Sequence, residues 1–243
     1  MTTTGTTTTG ARIEGGIGDN AARPDGGLKV RGEFAFSSDL WMDGMLWGAT
    51  LRSPHAHARI TAIRTDAALA VPGVFAVLTH EDVPGANAYG LEHRDQPVLA
   101  HDKVRYQGEA VALVAADHPE TARRAAALVE VDYDELTPVT DPRTAVTGEG
   151  ESLHPGGNCV RHVPIRRGDP EATAAVVVTG DYEVGMQDQA FLGPESGLAV
   201  PAPDGGIDLF VATQWLHVDR SQVAYALGLD EGLVRITLAG VGG

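Results

Sequence analysis

Apolar positions recur along this chain with three different spacings, and the changes of spacing mark its elements. Leu46-Trp47-Gly48-Ala49-Thr50-Leu51 and Phe75-Ala76-Val77-Leu78 read as strands; Asp66-Ala67-Ala68-Leu69-Ala70 between them reads as a short helical turn closed by Pro72-Gly73. Ala110-Val111-Ala112-Leu113-Val114-Ala115 is apolar at every position, the pattern of a strand covered on both faces. The period then lengthens. Ala122, Ala125, Ala126 and Val129 make one helical stripe, with Asp117 as the expected cap, Pro119 early in the helix and Glu120 completing a capping box. Glu130-Val131-Asp132-Tyr133-Asp134 alternates as a half-buried strand. This stretch predicts a compact α/β (α+β) domain over 28–140.

Residues 141–162 are rich in Thr, Asp, Pro and Gly and read as a linker. Past it, Ala174-Ala175-Val176-Val177-Val178 with Asp181-Tyr182-Glu183 suggests a strand pair or one long strand. Leu198-Ala199-Val200 and Ile207-Asp208-Leu209-Phe210-Val211-Ala212 flank Pro203-Asp204-Gly205-Gly206, a hairpin signal. Val218, Gln222, Val223 and Ala226 fall on one face of a helix ending at Gly228. A last strand, Val234-Arg235-Ile236-Thr237-Leu238, runs into Ala239-Gly240-Val241-Gly242-Gly243. At the other end, residues 1–27 open on a Thr-rich run and show neither period. Such a stretch cannot bury enough apolar area to offset roughly 1–2 kcal/mol of backbone entropy per residue, so disorder is expected up to about Leu28.

Composition narrows the class of function. The net charge of −15 across 243 residues, with the basic side chains scattered, argues against a nucleic acid or an anionic membrane as partner. The single cysteine, Cys159, forbids an intrachain disulfide and cannot hold an iron–sulfur cluster, which takes about four thiolates. A reducing cytoplasm suits it. No apolar run approaches the ~20 residues of a membrane span, and the first residues lack the basic start and apolar centre of a signal peptide.

Candidate chemistry is sparse. His55 and His57 have no companion ligands at metal-site spacing, so they read as part of a structural loop. Glu109 and Glu195, each beside a glycine turn, could act as acid or base if buried, but read first as solvated or capping groups. No Gly-x-Ser-x-Gly elbow offers a nucleophile. The glycine run after the final strand resembles a binding loop cut in half, too short for a dinucleotide fingerprint. Upstream, Gln214 stands where a strand turns into a helix, and its amide carries donors and an acceptor that could hold an oxo or phosphate group from the same side as the glycine N–H groups.

Taken in order, Lys29-Val30-Arg31-Gly32, Asp43-Gly44-Met45-Leu46-Trp47-Gly48, Leu51-Arg52-Ser53-Pro54-His55-Ala56-His57-Ala58-Arg59-Ile60, Pro72-Gly73-Val74, Glu81-Asp82-Val83-Pro84-Gly85 and Asp102-Lys103-Val104-Arg105-Tyr106-Gln107-Gly108-Glu109 carry a likeness. Gln189-Ala190-Phe191-Leu192 with Glu195, then Thr213-Gln214-Trp215, then the closing glycines continue it. The chain resembles the molybdenum-cofactor subunit of the xanthine dehydrogenase and aldehyde oxidase family of molybdenum hydroxylases. The resemblance implies a hammerhead-like domain over 28–140 and the start of a molybdopterin-binding domain over 163–243. It implies that Gln214 hydrogen-bonds an oxo ligand of molybdenum without ligating the metal, and that Gly242 and Gly243 begin a loop against the cofactor. The family's catalytic glutamate has no counterpart in this sequence, so no catalytic residue is expected in it and the chain alone is expected to be inactive. The expected activity of the whole is oxidative hydroxylation of a purine such as hypoxanthine or xanthine, with water as oxygen source. Its expected partners are the rest of the molybdenum subunit and subunits bearing FAD and iron–sulfur clusters. Hydroxylation of aldehydes, carbon monoxide or another N-heterocycle, or a non-catalytic scaffold role, remain open alternatives at this point.

Overall fold

The computed structural model describes residues 17–18, 23–169, 171–188, 193 and 195–240. The first helix among the described residues is α1 (Gly26–Val30). Residues 1–16 and 19–22 lie outside the described residues. The first unit continues through β1 (Trp47–Arg52), β2 (Ala58–Arg64), α2 (Asp66–Leu69), β3 (Val74–Leu78), β4 (Lys103–Val104), β5 (Ala110–Ala116), α3 (Pro119–Ala126) and β6 (Glu130–Glu135). Its strands form two antiparallel three-stranded sheets, β1-β5-β3 and β4-β2-β6.

The uniformly apolar β5 is the centre of this unit because it feeds two cores at once. Ala112 and Val114 join Ala68, Val77, Ala125, Ala126 and Val129 under α3. On the opposite face, Val111 joins Ala58, Ala100 and Val104 against the second sheet. Successive side chains of a strand point to opposite faces, so a run without polar residues is what a strand sandwiched in this way requires. The stripe of α3 is buried as the 3.6-residue spacing predicts.

The cap of α3 differs from expectation. The Asp117 amide donates to Gly73 O at 2.9 Å, and the Asp117 carboxylate fills the space a Cβ on Gly73 would need. That holds Asp117 against the Pro72-Gly73 turn, so the cap falls to His118, whose Nδ1 accepts from the Glu120 amide at 3.2 Å. Glu120 pairs with Arg123 instead of closing a box.

Two further departures lie past the first unit. Within 141–162 a short helix, α4 (Pro142–Thr147), forms because Asp141 accepts from the Arg143 amide, Pro142 starts the turn and Gly148 ends it at φ 75°. The segment beyond α4 returns to the first unit: Lys103 Nζ meets Glu151 at 2.7 Å and Arg105 Nε donates to Leu153 O at 3.0 Å. The expected strand or strand pair at 174–183 is absent. No strand among the described residues pairs with it, and Val176, Val177, Val178 and Tyr182 are exposed. Apolar β-branched composition makes a strand only where a ladder partner and a covering face exist.

The second unit is a small sheet, β7 (Gly197–Pro201), β8 (Ile207–Val211) and β9 (Val234–Leu238), in the order β7-β8-β9. β7 and β8 are the antiparallel arms of the expected hairpin, and Gly205 turns between them at φ 82°. β8 and β9 run parallel, joined by α5 (Leu216–Leu227), which stops at Gly228 in the left-handed region. The architecture is mixed α/β with small sheets, as expected from the sequence.

Candidate functional site

Parallel strands with a helical crossover present the C-terminal edge of the sheet as the place where loops open and ligands bind. In this chain that edge holds Ala212-Thr213-Gln214 after β8 and Ala239-Gly240 after β9, tied together where the Ala239 amide donates to Val211 O at 2.8 Å. Gln214 is exposed just before α5 begins. Thr213 turns the chain: its hydroxyl donates to the Asp219 carboxylate in the first turn of α5 and accepts from the Trp215 amide. No side chain caps the N-terminus of α5 at Trp215, so the first-turn N–H groups and the positive end of the helix dipole face the edge that carries Gln214.

The wall opposite Gln214 comes from the first unit. Tyr89, Leu91 and Gln96 line an open cleft of about 380 Å³ together with Gln214 and Trp215, and Gln222 lies where the two sides meet. Burial pushes the Tyr89 phenol above its ordinary pKa, and Tyr106 and Glu109 add to the shift, so this wall is a neutral hydroxyl in neutral solution. The contact between units is sealed behind the cleft. Gly85 and Ala86 amides donate to Ala226 O and Tyr225 O at 2.9 and 3.1 Å, satisfying carbonyls of the last turn of α5. A Cβ on Gly85 would stand 2.4 Å from Gly228 N and Tyr225 O, so only glycine fits there. Sequence reading missed this seam; the signal was Pro84-Gly85, a turn with no strand to serve.

The closing glycines divide. Gly242 and Gly243 lie outside the described residues, as does the Gln189–Leu192 stretch. Gly240 is glycine for a local reason, since the ring of Phe34 occupies the space of a Cβ, with Phe34 Cε1 1.8 Å from that position. Phe34 and Phe36 stack edge to face at 5.1 Å, Lys29 lies over both rings, and Phe36 bridges to Gly240. The start of the described chain thus braces the turn at its end.

The other candidates serve packing. His57 is buried, its Nδ1 donating to Thr137 O at 2.9 Å while Nε2 finds no hydrogen-bond partner among the described residues. His55 rests on Tyr133 with centroids 4.8 Å apart, so the two rings do different work. Of the two readings for Glu109, solvated or capping, the structure shows the second: it is 3 % exposed, accepts from the Arg105 amide and lies 4.0 Å from that guanidinium. A carboxylate that satisfies an adjacent turn from inside needs no catalytic role to explain its burial. Glu195 is exposed.

Residues 31–137 match the a/b hammerhead domain of aldehyde oxidase and xanthine dehydrogenase, and residues 153–243 match the molybdopterin cofactor-binding domain. The chain belongs to the xanthine dehydrogenase and aldehyde oxidase family. It is 40% identical over 224 residues to a probable xanthine dehydrogenase subunit of Bacillus subtilis, covering 91% of this chain and 30% of that protein. It is 32% identical to the nicotinate dehydrogenase large molybdopterin subunit of Eubacterium barkeri, covering 93% of this chain and 54% of that one. Among solved structures, the aldehyde oxidoreductase of Desulfovibrio gigas superposes with a TM-score of 0.83 at 31% identity, over 91% of this chain and 26% of that one. Quinoline 2-oxidoreductase of Pseudomonas putida superposes at 0.79 and 32% identity, over 91% and 30%. The chain therefore spans between about a third and a half of the curated relatives named here. No helix among the described residues is long and apolar enough to cross a membrane.

Proposed function

We propose that this chain is the N-terminal part of the molybdenum-cofactor subunit of a xanthine dehydrogenase-like hydroxylase, which hydroxylates a purine such as hypoxanthine or xanthine with oxygen from water. The observation that carries the reading is the convergence at one sheet edge of the Gln214 amide, the N-terminus of α5 and the segment leading to the closing glycines. The donor chemistry fits a molybdopterin centre. A primary amide offers two N–H donors to an oxo or phosphate oxygen, and the start of α5 favours negative charge. Gln214, Gly242 and Gly243 are the proposed cofactor contacts, with Gln214 touching the metal only through its ligand. The unit boundary is proposed to fall in 141–162.

The redox chemistry itself, removal of two electrons as water-derived oxygen is added to an electron-poor carbon, belongs to the molybdenum centre. What this chain contributes is orientation and shielding. Gln214 would hold an oxygen of the bound centre by hydrogen bonding, and Tyr89 and Leu91 would shield one side of the cleft from water. Electron transfer onward through iron–sulfur and FAD subunits completes this reading, since the residues of this chain, with the single Cys159, do not themselves hold a cluster of roughly four thiolates. The rest of the molybdenum subunit supplies the catalytic glutamate in this reading, so the chain alone is inactive. Its single thiol supports a reducing, cytoplasmic setting.

The test is Gln214→Ala in the complete enzyme. Loss of a hydrogen bond to a charged or strongly polar partner, worth ~1–3 kcal/mol, should slow turnover roughly fivefold to 150-fold with molybdenum still bound. Unchanged turnover with xanthine overturns the role of Gln214. A molybdenum-free enzyme purified with its natural partner subunits overturns the whole reading, and faster turnover of an aldehyde than of any purine overturns the substrate.

A further inference from the structure

The loop that forms the cleft wall is closed at its base by its own hydrogen bonds. Asn87 Nδ2 donates to Leu99 O at 2.8 Å, and the Leu99 amide donates to Asn87 Oδ1 at 3.0 Å. One rung further, Tyr89 and Gln96 exchange both backbone hydrogen bonds, at 2.8 and 3.1 Å. The chain reverses direction between these two residues, and Gly90 makes this possible at φ 152°. A Cβ there would stand 1.7 Å from the His93 carbonyl oxygen.

The tip is held from the second unit. The Gly90 amide donates to Gln222 Oε1 at 2.8 Å, which also fixes the orientation of the Gln222 amide, since an N–H needs the carbonyl end. Beside it the Arg94 guanidinium lies over the Tyr225 ring at 4.3 Å and reaches Ser221 Oγ at 3.4 Å. Ser221, Gln222 and Tyr225 all belong to α5, the helix that Gln214 precedes. One helix therefore follows directly on Gln214 and carries, in its second turn, the group that holds the opposite wall.

We propose that Gln222 is a positioning residue of this cleft. By holding Gly90 it sets the separation between the Tyr89–Leu91 wall and Gln214, and with it the width available to a flat aromatic substrate. Arg94 on Tyr225 steadies the same loop from its far side. The nature of what enters the cleft rests on the function proposed above; the hold on the loop does not.

Two variants of the complete, partner-bound enzyme test this. Gln222→Leu keeps the volume and removes the acceptor, while Gln222→Glu keeps an acceptor. With Gln222→Leu, amide exchange over residues 89–96 should quicken and KM should rise, each by about fivefold, the scale of one hydrogen bond, with kcat within about twofold of the parent. Gln222→Glu should restore both. Unchanged exchange overturns the proposal, and so does faster exchange with unchanged KM, because the loop would then be loosened without consequence for the cleft. If Gln222→Leu does not fold, Arg94→Ala reads the same loop: a raised KM supports the proposal and an unchanged one overturns it. A parent enzyme without molybdenum would fail the proposed function, and the exchange comparison alone would then decide the role of Gln222.

Discussion

The two units of this chain solve the same problem, covering a three-stranded sheet, with unequal means. The first buries β5 on both faces, under α3 and against a second sheet, and its two core clusters hold eleven buried side chains. In the second, every residue of β8 is only half-buried, and Ala224 and Val234 are its buried apolar residues among those described. The first unit supplies its own cover. The second takes part of its support from outside itself, at the Gly85 seam on α5 and at the Phe34–Phe36 pair under Gly240. Independent stability sits in the unit that supplies only the opposite wall of the proposed cofactor edge, and the edge itself is held by contacts between units.

Matched substitutions sharpen that contrast. Val114 and Val234 are each 1 % exposed, so Val→Ala removes the same two methyl groups from the same degree of burial. Val114→Ala should cost about 2–3 kcal/mol, because the double-sided core cannot close the cavity, and Val234→Ala nearer ~1–1.5 kcal/mol. Chemical denaturation followed by circular dichroism measures both, and equal losses would break the contrast. Gly85→Ala attacks the seam. The added Cβ displaces two hydrogen bonds from α5 and should cost ~1–2 kcal/mol, read as faster exchange of amides in the last turn of α5 with the core of the first unit unaffected. Exchange unchanged in that turn would show that α5 does not depend on the first unit.

The smallest expected effect concerns the segment between the units. The hydrogen bond from Lys103 holds the Glu151 carboxyl below its ordinary pKa of 4.5. A group whose folded pKa is depressed stabilises fully above its unfolded value and loses that contribution as pH falls through the folded one. The segment should therefore loosen on acidification below about pH 4.5. Anisotropy of a dye on the exposed Cys159 would record it, and Lys103→Met should abolish the step. A step that persists in that variant would assign the pH dependence to another group.

Much of the first unit was legible because its elements obey one period each. The apolar run of β5 and the stripe of α3 state their burial directly, and the hairpin at Pro203–Gly206 states its turn. What failed did so where a local signal met a tertiary competitor. Asp117 is a better cap by type than His118, but the Pro72-Gly73 turn holds it. Val176–Val178 has strand composition without a ladder. The candidate site was legible in part: Gln214 stood out as an amide where a strand becomes a helix, yet its opposite wall comes from residues more than a hundred positions earlier, which no local pattern connects. Gly240 looked like a ligand-contact glycine and is explained by Phe34.

The capping of α5 by Gly85 and Ala86 also orders events in time. Its last carbonyls find these two donors only once the Pro84-Gly85 turn exists, and that turn belongs to the part of the chain that leaves the ribosome first. The hammerhead unit thus stands as a template on which the helix behind Gln214 can finish, so that a folding defect in the first unit would surface as a malformed sheet edge, the proposed cofactor edge, in the second.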